Sequence, residues 1–474
     1  MKTQRLIVFT LVKYLIIPMS LFWNIFCNCQ NADDDDDDDN QIDDDDDNDS
    51  ADDDFIDVSG YVHFAALQPS GELLWKTTQY REGSFESATF SAKQNIYFSD
   101  YKNPNINNLY CFSRSSSFLW SKTIPVPLGV DYHIEFIISH NNMLFWSASE
   151  SNLDKDIVVK ADASGNKLCS AFFDPDLEYS RIEFLHSDHN GGILAVGDGY
   201  ITNGYLEGYN IVASYTDDCE LNWQWQSEYI SDWPGDVNTD DSNNVYLLYN
   251  TLRSCVVAKI DPNGETLWEV PFRPEDTSTK NCQGNQMAVD DGGNVYVAAM
   301  CGDYESCLIK FNTDGNYQWQ QLRQFDTRYY YSDEHYVLVD SQQQLIYAEI
   351  ALVNNEYTVV IAKYDADGNM LWENVSEDSC NERIFIGDLQ IDKYDNFYLM
   401  GHGCVTESFD DHYSGESFSY IVKIDPDGNE EWKNKYYKED FDSVFIAEPG
   451  DEYLIALFGG YLFLSPALQP DQEL

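Results

Sequence analysis

A chain that repeats one short hairpin along most of its length has few folds open to it. Residues 257–268, VAKIDPNGETLW, alternate apolar and polar side chains up to Lys259. They turn at Asp261-Pro262-Asn263-Gly264 and resume alternation at Thr266 and Trp268. Alternation of period two is the mark of a half-buried strand. Asp suits the first position of a type I turn because its carboxylate accepts from backbone amides two residues on. Pro presets φ at the second position, and Gly takes a positive φ at the fourth without steric cost. The stretch therefore predicts a β-hairpin with a large aromatic at a fixed place on its return strand.

The hairpin recurs at 310–319 (KFNTDGNYQW), 363–372 (KYDADGNMLW) and 423–432 (KIDPDGNEEW). Looser copies stand at 67–75 (LQPSGELLW), 112–120 (FSRSSSFLW), 160–169 (KADASGNKLC) and 215–223 (YTDDCELNW). Their last residues are Trp75, Trp120, Cys169, Trp223, Trp268, Trp319, Trp372 and Trp432, spaced 45 to 60 residues apart. A period of this length signals a propeller, a solenoid or an array. The seven Trp also read as a ligand cage. One per repeat in one register, they read better as wedges packed between neighbouring sheets. Cys169, where the wedge is missing, marks the least regular repeat.

A second hairpin precedes each of these, with return strands such as 243–250 (NNVYLLYN), 293–300 (GNVYVAAM) and 395–401 (DNFYLMG). Their apolar runs suit strands covered on both faces. Two hairpins make a four-stranded repeat of about 50 residues, the size of a propeller blade. The chain opens on a Trp hairpin (59–78) and ends on the other kind (443–459). The expected fold is an all-β propeller of four-stranded blades, closed by pairing the N-terminal and C-terminal hairpins in one blade. That arithmetic gives eight blades. Seven remain the alternative, because 461–468 (YLFLSPAL) reads as a further strand.

The pattern Asp-x-x-Gly-x-x-x-Trp after a Val-x-Lys-x strand resembles the repeat of the quinoprotein-like (PQQ-like) β-propellers, over most of residues 59–436. That group includes pyrroloquinoline-quinone-dependent dehydrogenases and non-enzymatic bacterial propeller lipoproteins. The resemblance implies an eight-bladed or similar propeller. It does not imply the cofactor, since fold and function separate readily. The dehydrogenases carry a disulfide between adjacent cysteines beside the quinone. No two cysteines are adjacent in residues 55–474, so no cofactor is expected.

Residues 1–29 read as a signal peptide or lipoprotein leader. Lys2 and Arg5 precede an apolar run, and Cys27 and Cys29 close it as candidates for lipidation. Simple secretion and an uncleaved signal anchor are the alternatives. Residues 30–54 hold sixteen Asp between positions 33 and 54, and predict a disordered tether. Ca²⁺ binding by these carboxylates is possible, but nothing fixes their geometry. The leader contributes +3 and the tract −16 to a formal charge of −56, leaving −43 on the propeller domain, residues 55–474. An excess of this sign excludes nucleic acid as a partner and suits a soluble monomer outside the cytoplasm, touching a membrane only through its N-terminal anchor.

Nine cysteines lie in residues 55–474, an odd number that leaves at least one unpaired. Cys282 and Cys301 bracket one hairpin, and Cys380 and Cys404 bracket its counterpart two repeats on. Both pairs are candidate disulfides, with Cys307 as a competitor for the first. The cluster 186–189 (HSDH) reads as a solvated turn, and His402 as a lone candidate site residue at a strand end. The turns holding Asp365 and Asp425 look like fragments of Ca²⁺ loops but lack the remaining ligands. No catalytic or metal residue is therefore nominated. The expected role is a binding or scaffold module for a protein or glycan. The alternative is an enzyme, a hydrolase, lyase or quinone-dependent dehydrogenase, with its site at the central channel mouth.

Overall fold

The hairpin turns set the register of the strands they join. Asp261 N–H donates to Glu265 O at 2.8 Å, and Gly264 N–H to Asp261 O at 3.0 Å. Asp261 Oδ1 accepts from the amides of Asn263 and Glu265, both at 2.9 Å. Gly264 sits at φ +86°, where a Cβ is strained. The extra residue makes a bulge, so pairing slips between Lys259 and Ile260. The same slip follows Lys310, Lys363 and Lys423. Each time it leaves the Lys directly opposite the Trp: Lys259 with Trp268, Lys310 with Trp319, Lys363 with Trp372, Lys423 with Trp432.

The computed structural model describes most of residues 61–462. Residues 1–60, 463–474 and several connecting stretches, the longest being 126–133, 325–334 and 404–417, lie outside it. The lipidation candidates Cys27 and Cys29 and the Asp tract are thus outside the described residues. Among the described residues all regular structure is strand. Antiparallel four-stranded modules follow one another at 84–125, 134–172, 179–226, 233–272, 282–324, 335–380 and 385–437, numbered one to seven below. Modules two and three merge into one eight-stranded sheet through a single parallel bridge, Ser180 to Lys155. A further sheet joins the two ends of the chain, with Tyr61–Leu67 pairing antiparallel to Leu454–Gly459. Tyr461–Leu462, the start of the expected extra strand, forms a two-residue ribbon with Glu439–Asp440. The fold is all-β and propeller-like.

Burial follows strand order. In module four the middle strands Val245–Asn250 and Cys255–Ile260 are buried throughout, whereas the outer strand Thr266–Phe272 is open along most of its length. A strand with sheets against both faces must be apolar throughout. The core consequently lies between modules. One cluster joins Tyr246, Leu248 and Val257 of module four to Val295, Val297 and Ile309 of module five. Similar clusters link the other consecutive modules from one to seven. Up-and-down order places the Asp/Gly turns of every module at one end. The crossings to the next module leave from the other.

Candidate functional site

At the turn end, modules four, five and six each grip the turn of the next. Trp268 Nε1 donates to Thr313 O at 2.9 Å, Trp319 Nε1 to Ala366 O at 3.2 Å and Trp372 Nε1 to Pro426 O at 3.3 Å. Lys310 Nζ and Lys363 Nζ reach the same Ala366 and Pro426 oxygens, at 2.7 and 3.1 Å. The Trp ring lies flat against the positive-φ glycine of that turn. A Cβ built on Gly315 would stand 2.7 Å from Trp268, and one on Gly264, Gly368 or Gly428 would stand 2.8 to 3.0 Å from Trp223, Trp319 or Trp372. Gly165 meets Trp120 in the same way. Lys259 and Lys310 also lie 4.8 and 5.1 Å from the ring centroids of Tyr246 and Tyr296, within cation–π range. The Trp rings therefore serve as clasps. Trp432 lies 6.1 Å from the Tyr398 ring, and of Trp75 only the backbone is described.

The junction between modules two and three breaks the rule covalently. Cys169, at the Trp position, is bonded to Cys219, at the glycine position of the next turn, with Cα atoms 6.0 Å apart. Cys219 keeps the glycine-like φ of +59°. Lys160 still reaches the turn, donating to Asp217 O at 2.7 Å. The repeat that seemed least regular is thus held by a bond where the others use a ring. Sequence reasoning missed this pair, although two adjacent copies carry cysteine at these two motif positions.

Cys282 and Cys301 sit directly opposite in register and are bonded, with Cα atoms 4.1 Å apart. The competitor Cys307 is a buried free thiol, as are Cys111 and Cys255. Cys255 Sγ lies 3.5 Å from Cys282 Sγ. Burial pushes the Cys255 thiol up to about 12, so it stays protonated. Cys404 and the side chain of Cys380 fall outside the described residues.

Farther along the outer strand the junctions stop repeating. Four residues past the Trp, module four has Phe272, which stacks on Tyr317 and meets Phe311 edge-on. Module five has Arg323 at that position, and around it gathers the densest charged cluster of the described residues. Arg323 Nε lies 2.6 Å from Glu349 Oε1, and Nη1 lies 2.7 Å from Glu373 Oε2. Glu349 is fully buried. Its Oε2 accepts from Ser306 Oγ at 2.5 Å and from Tyr347 OH at 3.0 Å. The Tyr347 hydroxyl lies 3.2 Å from His335 Nδ1. Burial pushes the Glu349 carboxyl up, with the Arg323 guanidinium opposing it. Burial is the largest single influence and works against the Arg323 charge, but Glu349, Tyr364 and Glu373 together outweigh it and hold the guanidinium above its ordinary value. Burial lowers His335 to about 4, so its ring is neutral at pH 7. The set joins an acid, a base and a cation. Its chemistry is that of a paired ionic junction, open to solvent at Arg323 and Glu373, whose side chains are 22% and 34% exposed.

Other sequence candidates lie apart from it. His402, half-buried on a middle strand of module seven, has Nδ1 3.2 Å from Ser419 Oγ. His186 is in the strand Tyr179–Ser187 rather than a turn, and reaches Thr239 Oγ1 of module four at 3.1 Å. The Asp365 carboxylate is taken up by its own turn, accepting from the amides of Asp367 and Asn369. The Asn369 side chain, above all, holds it below the usual carboxylate range. Among the described residues no group of three His, Cys, Asp or Glu is arranged to hold a metal ion.

No family model matches the chain, and no curated protein matches it. Solved structures give only distant likenesses. A quinoprotein alcohol dehydrogenase-like protein from Bacteroides thetaiotaomicron is 12% identical, with 85% of this chain and 91% of that one covered at a TM-score of 0.40. A protein from Lactobacillus plantarum is 13% identical over 67% and 96%, with a TM-score of 0.40. A prolyl endopeptidase is 10% identical over 79% and 54%, with a TM-score of 0.45. The propeller-like fold therefore rests on the strand pairing described above.

Proposed function

We propose that the chain is an extracytoplasmic propeller of eight blades, lipid-anchored through Cys27 or Cys29, with residues 30–54 as tether. It acts as a binding or scaffold module for a protein or glycan. The eighth blade is the sheet built from both chain ends. The observation that carries the binding reading is the division between positions that repeat and positions that vary. The clasp of Lys, Trp and turn is nearly constant. Four residues past the Trp position, the same site holds Phe173, Ser227, Phe272, Arg323 and Ser376 in modules two to six. Constancy serves the fold; of the varying residues Phe173, Ser227 and Phe272 are buried, and Arg323 and Ser376 are partly open, so room for recognition lies at the later junctions. Two disulfides fit a compartment outside the cytoplasm. The ionic junction at Arg323 is the one feature favouring an enzyme, and its charges are already paired.

The test is affinity capture by the full-length anchored protein on intact cells of the native organism, with glycan-array binding in parallel. A saturable protein or glycan ligand supports the reading. Turnover of a substrate that is lost in Glu349→Gln, with no retained ligand, would replace it with the enzyme reading.

A further inference from the structure

The junction between modules six and seven contains a partly open cavity of about 370 Å³. Its origin is legible position by position. At the junction of modules four and five, Phe272 packs its ring on Phe311 and Tyr317. Counted from the Trp, the residues one pair of modules on are Ser376, Ile424 and Glu430, and all three line the cavity, with Ser376 in a bulge where Phe272 is paired to Cys255. A phenyl ring has become a hydroxymethyl group, and its two aromatic neighbours have become an aliphatic chain and an exposed carboxylate. The floor stays apolar, formed by Val359, Leu399 and Val422, which are buried at 2%, 1% and 6% exposure. At the mouth, Lys433 Nζ lies 3.4 Å from Ser376 Oγ and 4.9 Å from the Tyr420 ring centroid.

We propose that this cavity is a binding site for a small uncharged aromatic molecule, about the size of a phenyl ring and carrying one hydrogen-bond acceptor. The volume falls within the range of small-ligand pockets. Its apolar floor offers a ring a face to pack against, beneath a rim of polar side chains. The ring packs on the apolar floor beside Ser376, and the acceptor meets the Lys433 ammonium. The charge of −43 on residues 55–474 disfavours an anionic ligand.

Benzyl alcohol and toluene are titrated calorimetrically into the full-length protein, its Ser376→Phe variant and its Lys433→Met variant. Saturable binding of benzyl alcohol to the wild type is expected. Ser376→Phe, which fills the cavity from within, is expected to weaken it at least tenfold and to raise Tm. Lys433→Met is expected to weaken benzyl alcohol several-fold and leave toluene unchanged. If Ser376→Phe does not fold, Ser376→Leu replaces it with the same expected loss. No saturable heat with the wild type, or an unchanged isotherm in the filling variant, overturns the proposal.

Discussion

Arg323 is the residue whose loss has the clearest sign. Among the described residues it is the one cation within bonding distance of the fully buried Glu349. Breaking a buried pair from one side leaves a charge uncompensated, so Arg323→Met is expected to cost about 3–5 kcal/mol by urea denaturation. The double variant Arg323→Met/Glu349→Leu is expected to recover most of that, since an apolar pair of similar volume replaces the ions. His335 makes a pH prediction. Its buried ring is depressed to about 4, so between that value and the ordinary 6.5 only the unfolded chain binds the proton. Its contribution is complete above about pH 6.5 and is lost as pH falls toward 4. About 2 kcal/mol should go between pH 7 and pH 5. Comparing the stability slope of wild type with His335→Phe isolates the effect, and parallel slopes would contradict it. Neither residue was legible as part of a site. Arg323 is one basic residue in an outer strand, and its acidic partners stand in the next module. The link is visible only when outer strands are aligned past the Trp.

At the scale of the element, the hairpin was legible because its causes are local. Asp, the positive-φ glycine and the bulge act within five residues, and they place Lys opposite Trp without help from the rest of the chain. The next module's turn is about 50 residues away, and so the clasp was not legible. The row of Trp suggested a wedge between sheets; the rings pack against the inter-module clusters and, beyond that, close on a turn carbonyl and a glycine face. Because Cys169 and Cys219 occupy the two ends of that clasp, bond and ring should be interchangeable. Reduction, or Cys169→Ser, is expected to cost about 4 kcal/mol for a 50-residue separation. The pair Cys169→Trp/Cys219→Gly should restore much of it and make stability insensitive to reductant at that junction. A double variant no more stable than Cys169→Ser would show that the bond does not stand in for the clasp. Gly315→Val addresses the same contact from the turn side. A Cβ there meets the Trp268 ring at 2.7 Å and sits at positive φ, so a loss above 1 kcal/mol is expected in the same assay.

For the whole molecule, modules join one another through apolar clusters and side-chain clasps, and the chain ends join through one backbone ladder. The order of hairpins in the sequence anticipated that ladder, because a chain that starts on one kind and ends on the other leaves two halves of one sheet. That one sheet joins the two ends of the chain is the central structural claim, and the proposed eight-bladed ring depends on the pairing of Tyr61–Leu67 with Leu454–Gly459. Ala66 and Ala456 face each other in that register. The most direct measurement is oxidative cross-linking of the Ala66→Cys/Ala456→Cys variant, read by mass spectrometry of the bridged peptide. The account predicts a high-yield bridge within one chain that leaves the native fold intact. A folded variant with no bridge, or with the bridge only between chains, would contradict it.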